Sequence, residues 1–176
     1  MTALVFVDTN VLVYAYDADE PIKRARAREW MDVLWREQRG RTSAQVLSEY
    51  FAVLTRKSSF RVAPEDAWEE VDALINWNPH PVDAELLKRA YEIERRFRLN
   101  WWDCLIVAAA QAQSCALLLT EDLQDGANYG GVIARNPFKL GVADERSAYS
   151  AMPKVVSRHR GRGRPRTRPQ RIASSS

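Results

Sequence analysis

Two acidic residues in this sequence follow apolar runs, at positions where a buried carboxylate needs a compensating partner. Asp8 follows residues 4–7, which are typical of a buried strand that ends at a sheet edge. Asp122 follows a second apolar run, residues 116–119, after one intervening pair. Ligands of open α/β sheets bind at the carboxyl ends of the strands, and a buried acid there needs a cation or hydrogen bonds. We therefore expect both acids at the same edge of one sheet.

Two more acids lie on predicted helices. Asp103 is in the first turn of a helix over residues 100–113, and Glu49 is on the less apolar face of a helix over residues 45–57. Four converging carboxylates would repel each other and raise their own pKa values. A magnesium ion, which prefers oxygen ligands, would remove that penalty and acidify a water that attacks a phosphodiester. We call these residues the acidic set: Asp8, Glu49, Asp103 and Asp122.

Most members of this set also have a structural explanation, which the sequence leaves open. A lone helix glutamate such as Glu49 is usually just solvated. Asp103 has the spacing of a first-turn acid behind an N-cap, a position that the helix dipole favours. Asp122 fits an ordinary turn, and Glu121 or Asp125 could supply the acid instead.

The neighbouring polar and aromatic residues are equally open to two interpretations. Thr9 and Asn10 could be turn residues, or they could orient the Asp8 carboxylate through hydrogen bonds. Thr120 fits either a strand-end role or a role in the site. The adjacent tryptophans at 101–102 are more typical of a core than of a platform for a nucleobase.

The pattern of apolar residues and breaks predicts an α/β fold. The order is strand, helix, weak strand, several helices, strand, strand, which favours a mainly parallel central sheet with helices on both faces, a three-layer α/β/α sandwich. Strands are predicted near residues 4–7, 41–43, 116–119 and 132–134. Helices are predicted over residues 22–38, 45–57, 64–77, 84–97 and 100–113.

Length and composition exclude several classes of protein. With 176 residues, 46% of them apolar, the chain suits one globular domain with a core. It has no uncharged apolar run of 18 residues and no export signal, so we expect a soluble cytoplasmic protein without a membrane span. Cys104 and Cys115 are expected to be reduced core residues, and two distant histidines argue against a Cys/His zinc site.

Four short segments in succession resemble the signatures of PIN-domain proteins, and the subtype resembles the VapC-type toxins of prokaryotic toxin–antitoxin pairs. The likeness runs from about residue 5 to residue 138. The segments are residues 8–14, Ser48-Glu49, residues 102–106 with the Ala-rich run that follows, and residues 119–123, with Asn136-Pro137-Phe138 resembling the family's closing segment.

The resemblance implies a PIN-like α/β/α fold and an endoribonuclease that depends on Mg²⁺ or Mn²⁺. It implies that the acidic set is catalytic and that Asp8 and Asp103 are the metal ligands. Thr9, Asn10 and Thr120 match the family's auxiliary polar positions. It also implies an RNA substrate, a homodimer and a cognate antitoxin that inserts into the acidic groove.

The C-terminal part of the chain differs in charge from the rest. Residues 153–176 hold eight of the 26 Lys and Arg and no acid, which leaves 18 basic and 23 acidic residues elsewhere. We expect a nuclease domain over residues 1–140, a connecting segment over 141–153 and a disordered basic tail over 154–176 that binds nucleic acid. Its candidate contacts are Arg160, Arg162, Arg164 and Arg166. Residues 162–166 resemble an AT-hook core, but generic affinity for polyanions is the preferred interpretation.

Two other functions compete with the nuclease. The chain could be a PIN-like nucleic-acid-binding protein with a catalytically silent acidic site. It could also transfer phosphoryl groups through an Asp8 nucleophile, but haloacid-dehalogenase-like phosphatases place a second aspartate two residues later, where this chain has Asn10.

Overall fold

A computed structural model describes residues 3–57 and 59–139, which form a central sheet and six helices. The tail over residues 154–176 and the connecting segment lie outside the described residues. The elements in chain order are β1 (Val5–Val7), α1 (Thr9–Tyr16), α2 (Pro21–Arg36), β2 (Gly40–Arg41), α3 (Ala44–Arg56), α4 (Pro64–Ile75), α5 (Ala84–Phe97), α6 (Trp101–Ala112), β3 (Leu117–Leu119), β4 (Asn128–Tyr129) and β5 (Val132–Arg135).

The sheet has the strand order β2-β1-β3-β5-β4 and is parallel except for β4. Val7 of β1 pairs with Leu119 of β3, so these two strands end level with each other. The residues that follow them, Asp8 and Thr120, therefore meet at the same carboxyl edge. This confirms the predicted α/β/α class with a mainly parallel sheet.

The core explains why most predicted elements form where they do. All residues of β1 and β3 are buried, and so is the apolar run of α6 from Cys104 to Ala110. Such a wholly apolar helix segment belongs inside a fold. Cys104 and Cys115 are buried free thiols, as predicted. Asp83 caps α5 by accepting a hydrogen bond from the Leu86 backbone N–H at 2.8 Å.

Four local features differ from the sequence prediction. The weak strand is Gly40–Arg41 rather than 41–43, because Ser43 caps α3 by accepting from the Val46 N–H. Helix α1 and the antiparallel strand β4 were not predicted. The prediction of a core Trp pair was wrong, because Trp101 and Trp102 are both exposed in the first turn of α6.

The described residues contain no helix that is long and apolar enough to cross a membrane.

Gly40→Ala is expected to destabilise the fold, because a Cβ on Gly40 would lie about 2.5 Å from the buried indole of Trp77. Overpacking of this kind costs about 1–3 kcal/mol, to be measured as the free energy of unfolding in urea. The shorter side chain of Trp77→Leu should reduce this cost in the double variant. A cost of Gly40→Ala that is the same in both backgrounds would contradict the proposed contact.

Candidate functional site

The site is built around the Asp8 carboxylate, which sits between the end of β1 and the start of α1. Asp8 is the N-cap of α1, and its Oδ1 accepts from the Thr9 backbone N–H at 2.7 Å. Its Oδ2 accepts from the Thr120 hydroxyl at 2.7 Å, across the β1–β3 pair. Asp8 is only 7% exposed. The strand end and the helix start together hold this carboxylate in one orientation.

Asn10, in the first turn of α1, connects Asp8 to the segment after β3. Its Nδ2 lies 3.2 Å from Asp8 Oδ2, 3.2 Å from Thr120 Oγ1 and 2.9 Å from Asp122 Oδ2. The Asp122 backbone N–H donates to Thr120 Oγ1 at 3.1 Å. One amide group therefore bridges two carboxylates that would otherwise only repel each other.

Glu49 is held from two sides. Its Oε2 accepts from the Thr9 hydroxyl at 2.9 Å, and its Oε1 accepts from Gln45 Nε2 at 3.0 Å, one helical turn earlier on α3. The Thr9 contact joins α3 to α1, and Glu49 is half-buried rather than fully solvated.

Asp103 has the structural role that the sequence allowed, together with a place in the site. Asn100 caps α6 by accepting from the Asp103 N–H at 3.0 Å, and the Asn100 amide also donates to Asp103 Oδ2. The carboxylate of Asp103 nevertheless lines the same cleft as the rest of the acidic set.

This cleft has a volume of about 980 Å³. All four members of the acidic set line it, and none of the described lining residues is a Lys or Arg. The other lining residues are Thr9, Asn10, Gln45, Ser48, Val82, Asn100, Trp102, Leu105 and Ile106.

Two members of the acidic set, Asp8 and Asp103, have raised pKa values. Burial, with a smaller contribution from the charges of Asp122 and Glu49, raises the pKa of Asp8 to about 7 against the opposing hydrogen bonds from Thr120 and Thr9. Burial also raises the pKa of Asp103, again with contributions from Asp122 and Glu49, against the hydrogen bond from Asn100. A cation in the cleft would relieve this unfavourable charge.

The donors fit a hard divalent cation, although they do not form a ready-made cage. Each member of the acidic set accepts hydrogen bonds from neutral groups and offers carboxylate oxygens to one cleft. Within residues 3–57 and 59–139, no three acidic, histidine or cysteine side chains are close enough to form a metal cluster. Magnesium is usually held by one or two carboxylates and keeps several waters, so the fit is to a partly hydrated ion.

The acids adjacent to Asp122 have different partners. Glu121 accepts from Lys23 at 2.8 Å, and Asp125 lies 3.5 Å from Arg135. Asp122 lines the cleft and bonds to Asn10 instead. Of the three candidates that the sequence left open, the structure thus places Asp122 with the other acids.

The sequence analysis missed Gln45 as a member of the site. Gln45 is buried, fixes Glu49 and lines the cleft, while its Oε1 has no partner among the described residues. The signal was available in the sequence, since Gln45 and Glu49 are four residues apart on the same face of a predicted helix.

Comparison with known proteins agrees with this geometry. The family model of the PIN domain matches residues 5–124, more than half of the chain. The chain belongs to the PIN-domain family. The match confirms the resemblance read from the four segments and covers the whole acidic set. No curated protein matches this PIN-domain chain.

Solved structures share the fold of this PIN domain. One is a toxin–antitoxin complex from Klebsiella pneumoniae, 18% identical with a TM-score of 0.57, covering 76% of this chain and 97% of the other. Another is VapBC2 from Rickettsia felis bound to a DNA fragment from its promoter. It is 17% identical with a TM-score of 0.52, and the match covers 76% of this chain and 98% of the other. At these identities the similarity shows the fold alone.

Asp8→Asn should stabilise the metal-free protein increasingly as pH rises. Between the unfolded pKa near 4 and the folded pKa of about 7, the folded wild type binds more protons than the unfolded chain, so its stability falls with rising pH. From pH 4 to pH 7.5, the free energy of unfolding of the variant should rise relative to wild type by at least about 1.4 kcal/mol, which is the equivalent of one pKa unit. The measurement is urea unfolding in the presence of EDTA.

Asp17→Asn is the matched control, because Asp17 is equally buried but lies 3.6 Å from Lys57, away from the cleft. This variant loses the ion pair but leaves the cleft unchanged, so a pH trend that appears only in Asp8→Asn belongs to the cleft. A stability difference between Asp8→Asn and wild type that stays constant with pH would contradict the raised pKa.

Proposed function

We propose that this PIN-domain protein is a divalent-metal-dependent endoribonuclease that acts as the toxin of a toxin–antitoxin pair. The observation that carries the proposal is the convergence of four carboxylates, from four separate segments, on one cleft without cationic side chains among its described lining residues. A nuclease needs such oxygen ligands to hold a metal beside a phosphodiester.

The four carboxylates take different roles in this proposal. Asp8 and Asp103 would hold Mg²⁺ or Mn²⁺, and a bound ion would supply an acidified water and offset negative charge on the phosphate. Glu49 and Asp122 complete the negative charge and accept hydrogen bonds from the attacking water. Thr9, Asn10 and Thr120 keep the carboxylates oriented through the bonds described above.

The proposed partners are RNA, a second copy of the chain and a cognate antitoxin in the cytoplasm. The family match and the fold shared with toxin–antitoxin complexes support this assignment. The electrostatics support it too, because a metal-free acidic cleft attracts a basic side chain of an inhibitor.

One observation favours a second candidate, a nucleic-acid-binding protein that does not cleave. The acidic set does not form a preassembled cluster within the described residues, and a site that never binds metal would be catalytically silent. RNA binding without cleavage in either Mg²⁺ or Mn²⁺ would support this second function.

Asp8→Asn and Asp103→Asn should each lower cleavage of a single-stranded RNA by more than about 100-fold, because loss of a metal ligand is at least as severe as loss of its supporting residues. The measurement is kcat/KM in Mg²⁺ or Mn²⁺, and EDTA should abolish wild-type activity until metal is restored. Asp17→Asn serves as the control and should keep its activity. Full activity of either cleft variant at matched metal would refute the assignment.

Deletion of residues 154–176 should weaken RNA binding and flatten its salt dependence, because the deleted segment holds eight Lys and Arg. Each lost contact with a single-strand phosphate should reduce the slope of log K against log salt by about 0.7. The measurement is fluorescence anisotropy over a salt series, with kcat at saturating RNA as the control. An unchanged slope would show that the tail does not bind RNA.

A further inference from the structure

Trp102 is the largest apolar side chain exposed in the cleft. It is 63% exposed, although burial of a tryptophan side chain contributes strongly to the stability of a fold. It precedes Asp103 in the first turn of α6, and Val82, which is 48% exposed, lines the same cleft. Exposure alone is not diagnostic, since Trp68 on α4 is 52% exposed and is not among the described lining residues. What distinguishes Trp102 is its position beside the acidic set.

The cleft cannot hold nucleic acid in the usual way. Most proteins attract the phosphate backbone with Lys and Arg, but the described lining residues include four carboxylates and neither of these cations. Beyond a bound metal ion, this cleft repels phosphate. The binding free energy near the acids must therefore come from the uncharged parts of the nucleotide, above all from the faces of the bases.

We propose that Trp102 is a stacking platform for one nucleobase of single-stranded RNA, which places the adjoining phosphate at the acidic set. This inference rests on the proposed function. Stacking on an aromatic side chain suits any base, because every base has a π-face. It requires an unpaired strand, since the bases of an A-form duplex are stacked on each other and their faces are inaccessible.

The local structure suits Trp102 to this task. The Asn100 cap fixes the start of α6 and bonds to Asp103, so the indole and the neighbouring carboxylate belong to one rigid turn. A base on Trp102 would therefore set the register of the strand relative to Asp103. Trp102 is a substrate-binding residue in this scheme, and it takes no part in bond breaking.

The test compares Trp102→Ala, Trp102→Phe and the control Trp68→Ala. Fluorescein-labelled oligo(A) and oligo(U) of about 12 nucleotides, a length suited to a single-strand groove, are bound in EDTA and followed by anisotropy. Trp102→Ala should weaken oligo(A) binding by about 10-fold or more, and less for oligo(U), because uracil stacks less strongly. Trp102→Phe should retain most of the affinity, and Trp68→Ala should match wild type.

Two further readouts separate stacking from a structural role. The salt slope of binding should be unchanged in Trp102→Ala, because stacking releases no counterions. In cleavage assays with Mn²⁺ the loss should appear in KM, with kcat close to wild type. If Trp102→Ala lowers kcat alone, the proposal is overturned. It is also overturned if Trp102→Ala and Trp68→Ala weaken the binding of oligo(A) and oligo(U) to the same extent.

Other outcomes distinguish this inference from the function on which it rests. If Trp102→Ala binds RNA as wild type does but changes its oligomeric state in light scattering, Trp102 contacts a second copy of the chain. That result would overturn the proposed platform. Unchanged RNA binding with lost inhibition by a protein partner would overturn it as well. If wild type binds RNA through Trp102 but never cleaves it, the platform stands and the nuclease assignment fails.

Discussion

The burial of the Asp8 carboxylate is the constraint on which the rest of the site depends. A carboxylate in this position is unstable in its charged form, which is why its pKa rises to about 7. Three donors reduce the penalty: the Thr9 N–H, the Thr120 hydroxyl and the Asn10 amide. They come from the start of α1 and the end of β3, so the sheet register and the first helix must both be correct for the charge to be tolerated.

The parallel pairing of β1 and β3 brings together residues that are more than a hundred positions apart in the chain. Because Val7 and Leu119 pair, Thr120 reaches Asp8, and Asn10 reaches Asp122. Helices α3 and α6 then add one carboxylate each, Glu49 through Thr9 and Asp103 through the turn capped by Asn100. The fold therefore concentrates negative charge at one edge of the sheet while neutral side chains keep the carboxylates apart.

The sequence was informative where a local pattern decides the structure. Apolar runs that end at a polar residue predicted β1, β3 and the shared edge of Asp8 and Asp122, and the cap at Asp83 predicted the start of α5. The contact of Thr9 with Glu49 depends on how α3 packs against α1, which no local pattern encodes, whereas the spacing of Gln45 and Glu49 on one helix face is local. The Trp pair was misassigned because apolarity predicts burial, whereas whether a side chain is covered depends on what packs over it, and both tryptophans are exposed.

The arrangement of charge also explains why an acidic cleft and a basic tail can belong to one chain. The cleft favours a metal ion and disfavours bare phosphate, so under the proposed function it would offer a reaction centre with little general affinity for RNA. The eight cations of residues 153–176 would supply that affinity under the same proposal. If cations lined the cleft instead, they would pair with the carboxylates, as Lys23 pairs with Glu121, and reduce the need for a metal. Under the proposed function, separating the acidic cleft from the basic residues along the chain keeps the carboxylates available for a metal ion, while the basic residues still attract RNA.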